Sequence, residues 1–423
     1  MAAVAILALA LVLRLGMAVH MRYDPLQRDA ADYDRIGRSL ADGNGFPPTY
    51  VAADGGPSAM RPPAYPLYLG AVYGVTRQHA FAARVSQAVL GTVTVLLIGL
   101  LAALLFGEVA GLAALAVAAV YPEFILMDSA ILSETLYVPL MLGAILAALR
   151  HRADPGRRRW ALLAGLLAGL SILTRQNGAV LLVPLALLLW TAAGTSRRER
   201  ALSTASMLVV AGLVVLPWTI RNAVELHAFV PVATQSGLVL AGTYNEVSRH
   251  DPGDPAAWRP PSWVPRYAPL FRDTGLNEAE LDSKLRSGAI DYAKSNLGYL
   301  PVVGWHNFLR LAHLGGARYE QDQAGDRNIT PGQEDVGRFG FYVVAILALA
   351  GALTSLARRA PWYLWLMPVL LLSVVFTEGL IRLRVPIDPF LVLLASCALA
   401  TLLSRLRPQP PAPASHATSP APQ

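Results

Sequence analysis

Long apolar runs separated by short polar junctions dominate the chain. A helix needs roughly 20 mostly apolar residues to cross a bilayer. About ten segments meet that standard: 2–20, 86–106, 109–127, 133–149, 160–175, 177–194, 202–220, 338–357, 361–379 and 385–404. The run 202–220 carries no charged residue, and neither do 339–357 and 360–377. Two long polar stretches, 21–85 and 221–337, interrupt the series. The second holds 25 of the 63 charged residues and is rich in Pro, Trp and Tyr. It reads as a folded, mainly helical domain. Helical spacing over Asn277 to Asn296 puts Leu281, Leu285, Ile290 and Ala293 on one side. The apolar stretch 297–315 contains Pro301, His306, Arg310 and His313, which favours a helix lying in the membrane interface over an eleventh span. His306 and His313 are seven residues apart, about 10.5 Å along a helix. That is too far to share a metal, and they read as satisfied interfacial histidines.

The expected architecture is an all-α polytopic membrane protein with about ten transmembrane helices. Its parts are a transmembrane module at 1–220, which includes the first outer loop 21–85, and an extracytoplasmic domain at 221–337. Transmembrane helices at 338–405 follow, then a Pro-, Ala- and Ser-rich disordered tail at 406–423.

Composition agrees with this reading. Hydrophobic residues make up 54% of the 423 and charged residues only 15%, with a mean hydropathy of +0.44. Soluble domains are about a quarter charged. A disordered, collagen-like or disulfide-scaffold chain is excluded, and the single Cys397 permits no internal disulfide or multi-cysteine metal site.

The net charge of +7 arises from 33 Arg and only 2 Lys against 28 acids. On a soluble protein that excess would point to nucleic acid. Here most of it falls in short junctions: Arg150, Arg152, Arg157, Arg158 and Arg159; Arg197, Arg198 and Arg200; Arg358 and Arg359; Arg405 and Arg407. Ten alternating spans put all four clusters on one side, and the positive-inside rule makes that side cytoplasmic. Both termini are then cytoplasmic, the long loops lie outside, and no nucleic-acid partner is expected. Arg14 and Arg22, toward the outer end of the first span, argue weakly the other way. Residues 1–20 lack a basic start and a small-x-small cleavage site, so they read as a span, not a signal peptide.

The polar chemistry concentrates at the outer ends of the spans. Gln27 to Asp34 places Asp29, Asp32 and Asp34 within six residues. On a helix Asp29, Asp32 and Tyr33 share a face and Asp34 points elsewhere. A helix N-terminus alone accounts for such acids. Leu40 to Phe46, with Gly43 and Gly45, is a turn by composition. Arg61-Pro62-Pro63-Ala64-Tyr65-Pro66 is a stiff, extended lead-in to a membrane-bound segment. Ser133 and Glu134 read as an N-cap and a first-turn acid. Arg175, Arg221, Arg382 and Arg384 lie at outer junctions, where snorkelling to headgroups is the plain alternative to a role in chemistry.

These segments, in this order, resemble the bacterial GT-C glycosyltransferases, in particular the family-39-like and rhizobial lipopolysaccharide-core transferase group. Protein O-mannosyltransferases and the lipid A aminoarabinose transferase are relatives. The resemblance rests on Asp29-Ala-Ala-Asp32-Tyr33, Leu40 with Gly43 and Gly45, and Arg61-Pro62-Pro63-x-Tyr65-Pro66. It continues through Ser133-Glu134-Thr135-Leu136-Tyr137, Leu173-Thr174-Arg175, Pro217-Trp218-x-x-Arg221-Asn222 and Arg382-x-Arg384-x-Pro386-x-x-Pro389. It implies inverting transfer of a sugar from a polyprenyl-phosphate donor in the membrane to an extracytoplasmic glycan, lipid or protein acceptor. The resemblance places the enzyme in the bacterial inner membrane. The catalytic base it implies is Asp29, with Asp32 as second choice. Tyr33, Arg61, Glu134, Arg175, Arg221, Arg382 and Arg384 are the implied substrate-binding residues. The chain has Ala30 where some relatives carry a second adjacent acid, and Gln176 where a Pro often follows Arg175.

Elementary chemistry suits those assignments. An acceptor hydroxyl must lose a proton as it attacks, and a carboxylate can take it. The leaving lipid phosphate gains charge, and Arg offers a permanent planar fork for two of its oxygens. With arginines in that role no cofactor is required, and a divalent cation is optional. The competing class is a transporter or flippase of a lipid-linked intermediate, which predicts buried mid-membrane charge and inverted halves.

Overall fold

The computed structural model describes residues 1–406 apart from 78, 79, 317, 318, 320–322 and 326. The expected tail, with Arg407, lies outside the described residues. The described residues are helical and contain no strand. Each of the ten apolar segments is helical. Among the described residues, five helices are individually long and apolar enough to cross a membrane: Ala2–His20, Ala80–Phe106, Arg197–Glu225, Pro331–Ala352 and Asp388–Leu406. A sixth span is formed if the bent pair Glu108–Val120 and Pro122–Ser129 counts as one. Arg159–Thr174, Gln176–Trp190 and Trp362–Phe376 are apolar but shorter. At 1.5 Å per residue, a 16-residue helix reaches about 24 Å, less than a hydrocarbon core of about 30 Å. The protein is a multi-pass membrane protein whose long spans pack against these shorter apolar helices.

Pro122 explains the 52° bend between the paired helices. It removes one backbone donor and its ring clashes with the preceding turn. The carbonyls of Ala118 and Ala119 are freed inside an apolar bundle, where each needs a partner. Arg14, fully buried in the first span, supplies them. Its Nη2 donates to Ala118 O at 3.4 Å and its Nη1 to Ala119 O at 3.2 Å, while its Nε donates to Asp128 Oδ2 at 2.6 Å. Gly91 makes room for the pair, since a Cβ there would sit 1.8 Å from Asp128 Oδ2. Arg14 therefore completes a broken helix, which is why its position carries little information about topology.

Between the long spans, residues after 225 form a mainly helical unit. Helices Ser236–Thr243, Glu278–Ser295 and Tyr299–Leu311 surround Tyr244, Tyr267, Leu281, Leu285, Tyr299 and Val303. Leu281 and Leu285 are buried as expected, but Ile290 is 39% exposed. The next buried position is Ala289, because the face turns slightly with the 3.6-residue period. Ala52, from the first loop, belongs to this core. The loop and the later unit are thus one packed body. The expected boundaries at 221 and 338 both fall inside helices, Arg197–Glu225 and Pro331–Ala352. His313 is buried and satisfied within the protein, contacting Glu123 through Nε2 at 3.1 Å.

Candidate active site

The site begins where the first span ends. Arg28 adopts a left-handed backbone, φ 48°, and turns the chain into helix Arg28–Ala41. Asp29 falls in its first turn. One helical turn then carries Asp32 and Tyr33 on the same face, and Asp34 turns away to Tyr73 and Arg38. Gly43 and Gly45, at φ 78° and 71°, reverse the chain after the helix as their composition requires. Phe46, just beyond, reaches the Trp218 ring at 4.8 Å.

Arg61 returns to this helix from the following strap. Its Nη2 donates to Asp29 Oδ1 at 2.6 Å, and its Nε donates to Asp32 Oδ2 at 2.8 Å. Its guanidinium also lies 4.9 Å from the Tyr33 ring centroid. One fork therefore binds both acids and covers the ring of Tyr33. Asp29 receives a second arginine, Arg382, on its other oxygen. Arg382 comes from the short 3-10 turn Ile381–Arg384, more than 350 residues away in sequence. Asp32 also accepts from Arg35 at 3.0 Å and from the Tyr50 hydroxyl at 3.4 Å. A small cavity opens beside Asp32 and Arg61, lined further by Arg35, Phe46, Tyr50 and Ser58.

The electrostatics follow from that geometry. Burial alone would raise the Asp29 carboxyl, but Arg61 and Arg382 outweigh it and hold the group well below the usual carboxylate range. Asp29 is the more accessible of the two acids, with 25% of its side chain exposed against 9% for Asp32.

Of the residues singled out in the sequence, Asp29, Asp32, Tyr33, Arg61 and Arg382 meet at this point. Arg221 stands beside it: its Nη1 donates to Ser58 O at 2.8 Å, and its guanidinium covers Trp218 and Phe46. Arg175 and Glu134 form a separate ion pair at 2.5 Å, with Glu134 fully buried. Ser133 precedes helix Glu134–Ala153, but its hydroxyl does not cap the helix and faces Glu134 and Arg175 instead. Tyr65 is fully buried, its hydroxyl donating to Gln87 Oε1 at 2.7 Å.

Arg384 lies elsewhere. It is 4% exposed and donates through Nε to Asp388 Oδ1 at 3.0 Å and through Nη1 to Leu311 O at 2.7 Å. Its Nη2 lies 3.4 Å from Glu123 Oε1, and its guanidinium is 3.7 Å from the Phe341 ring centroid. Glu123 in turn receives Arg327 and His313.

Sequence reading missed Arg35, Tyr50 and Phe46. Arg35 was available from its i+3 spacing to Asp32. The positions of Tyr50 and Phe46 depend on the fold of the loop. Among the described residues no group of three His, Cys, Asp or Glu is arranged to hold a metal ion.

Comparison with known proteins agrees with this architecture. Residues 60–220 match a family described as dolichyl-phosphate-mannose-protein mannosyltransferase. That stretch contains Arg61, Glu134 and Arg175 but not Asp29, Asp32 or Arg382. By sequence alone, the chain matches no curated protein. The fold is shared with the Archaeoglobus fulgidus oligosaccharyltransferase, solved with a tethered acceptor peptide containing the NVT sequon: TM-score 0.56, 14% identity, 96% of this chain and 50% of that one. A second structure, AglB from the same organism with an inhibitory peptide and a dolichol-phosphate, gives 0.55 at 13% identity with the same coverage. ArnT from Cupriavidus metallidurans, bound to undecaprenyl phosphate, aligns at 0.44 and 16% identity over 95% of this chain and 78% of that one. The chain spans about half the length of the oligosaccharyltransferases it matches. The family match and the shared fold bear out the resemblance to the GT-C superfamily drawn from the sequence motifs.

Proposed function

We propose that the protein is an inverting glycosyltransferase that moves a sugar from a polyprenyl-phosphate donor to an acceptor on the extracytoplasmic side of a bacterial inner membrane. The observation that carries this reading is the convergence of Asp29, Asp32, Arg61 and Arg382 at the end of the first span. It supplies a carboxylate base and permanent cations in one place, at the depth where a lipid headgroup meets water. The arginine-rich junctions support that side through the positive-inside rule.

In the reaction the acceptor hydroxyl gives its proton to Asp29 as its oxygen bonds to the anomeric carbon. The bond from that carbon to the phosphate oxygen breaks, and the electron pair leaves with the lipid phosphate. Arg382 stabilises the charge that grows there. Its resting pairing with Asp29 has a purpose in this scheme. A carboxylate held far below its usual range is a weak base, and a phosphate that draws Arg382 toward itself restores the basicity of Asp29. Donor binding therefore arms the base. Arg221 lies at the rim of the cavity, and the helical unit that follows Glu225 selects the acceptor, whether glycan, lipid or protein. Glu134 and Arg175 form a separate pair and do not line this cavity. No nucleic acid takes part.

Purified protein incubated with radiolabelled polyprenyl-phosphate sugars and candidate acceptors should release lipid phosphate and label the acceptor. Movement of the lipid-linked sugar across the bilayer without turnover would instead establish a flippase. The buried charges found here, Arg14 with Asp128 and the Glu123 cluster, are paired with one another.

Arg382→Gln provides a second test. Loss of one charge-assisted hydrogen bond, about 1.5–3 kcal/mol, lowers kcat/KM for the donor about 10- to 150-fold. It also lets burial lift the Asp29 carboxyl. The parent should keep its base ionised well below the usual carboxylate range, because Arg61 and Arg382 hold it there. The variant should lose activity at a higher pH as the carboxyl takes up its proton. A pH–rate profile with an unmoved acid limb, and an unchanged donor KM, would exclude this role for Arg382.

A further inference from the structure

The strap that carries Arg61 has no regular secondary structure of its own between residues 50 and 63. Its last residues are nevertheless tightly held. Ser58 Oγ donates to Glu278 Oε2 at 2.8 Å, and the Ala59 N–H donates to Glu278 Oε1 at 2.8 Å. The Thr234 hydroxyl donates to the same Oε1. On the carbonyl side, the Thr234 N–H donates to Ala59 O at 3.1 Å, and Arg221 donates to Ser58 O. Glu278 is 3% exposed.

An acid at the first position of a helix is ordinarily explained by the helix dipole. That explanation does not cover these contacts. The capping box of helix Glu278–Ser295 is made by Asn277 and Glu280, each bonding the other's backbone N–H. Both oxygens of Glu278 are therefore directed at the strap and at Thr234. Two residues on, Arg61 is confined from the other side by Pro62, which restricts the residue before it to extended conformations.

We infer that Glu278 is a positioning residue, clamping Ser58 and Ala59 so that the Arg61 guanidinium spans Asp29 and Asp32. This rests on the reading of those acids as the catalytic site. It adds a mechanical link from the acceptor-selecting unit to the base, because Glu278 and Thr234 belong to that unit and not to the membrane helices. A shift of the Glu278–Ser295 helix on acceptor binding would move Arg61 with it.

The test uses the full chain in lipid nanodiscs, with Glu278→Ala and Glu278→Gln. Carbodiimide labelling of Asp29 and Asp32, mapped by mass spectrometry across pH, reports how firmly arginine holds each acid. Asp29 faces Arg61 and Arg382; Asp32 faces Arg61, Arg35 and Tyr50. In Glu278→Ala the labelling of Asp29 should rise about tenfold, equivalent to one pKa unit regained. Glu278→Gln should stay near the parent, because its amide oxygen still accepts the Ala59 N–H. An ordinary packing role would lower the unfolding midpoint of Glu278→Ala without altering either labelling curve, and that outcome overturns the inference. If Glu278→Ala does not fold, Ser58→Ala is read in the same way: a smaller rise in labelling supports the clamp, and no rise overturns it. The labelling needs no turnover. A parent chain that transfers no sugar would refute the functional reading while the clamp is still decided.

Discussion

Asp29→Asn should lower sugar transfer about 10²- to 10⁴-fold, the contribution of a positioned general base, while the chain still folds and inserts. Asn keeps the volume and an acceptor oxygen for Arg61, and the side chain is one-quarter exposed, so little packing is lost. What disappears is the group that takes the acceptor's proton. Asp32→Asn should cost less. Asp32 receives Arg61, Arg35 and Tyr50 and is almost wholly enclosed, so its oxygens are committed to holding Arg61 in place. Initial rates of lipid phosphate release, with size-exclusion profiles of each variant, separate the two. Full activity in Asp29→Asn would transfer the role to Asp32, and full activity in both would end the carboxylate mechanism.

The parts of this site that were readable in the sequence are those fixed by local periodicity. Helical spacing put Asp29, Asp32 and Tyr33 on one face and turned Asp34 away, and the structure keeps that division. Gly43 and Gly45 marked their turn because only glycine takes positive φ without cost. The apolar runs located the membrane helices, although five reach spanning length alone. What could not be read depends on pairing across distance. Glu134 and Arg175 are 41 positions apart, and Glu278 meets Ser58 across 220. Nothing in the spacing of either pair announces it. Arg14 looked like a weak topology signal because the broken helix it completes is visible only when Ala118, Ala119 and Asp128 are brought beside it.

Arg382 and Arg384 show the same limit within a single turn. They look alike in sequence, yet they lie in a 3-10 turn with three residues per turn, so positions two apart point in different directions. Arg382 reaches Asp29, and Arg384 enters the buried cluster with Asp388 and Glu123. Substituting the second should therefore affect stability before chemistry. Arg384→Met leaves the Asp388 carboxylate, fully buried, with the Tyr121 hydroxyl at 3.0 Å as its one side-chain hydrogen-bond partner among the described residues. Breaking a buried ion pair from one side costs about 3–5 kcal/mol, a large share of a marginal stability of about 5–15 kcal/mol. The unfolding midpoint in detergent should drop sharply. The double variant Arg384→Met with Asp388→Asn removes the stranded charge and leaves an acceptor for Tyr121, so most of the lost stability should return. Transfer activity then separates the two roles. If Arg384 only braces the bundle, the double variant regains activity along with its stability. If Arg384 binds the donor phosphate, the double variant unfolds near the parent midpoint and yet transfers nothing, since no packing change replaces a missing guanidinium. Stability and activity must recover together for the last helix to be held by Arg384 while Arg382, two residues earlier, serves the reaction.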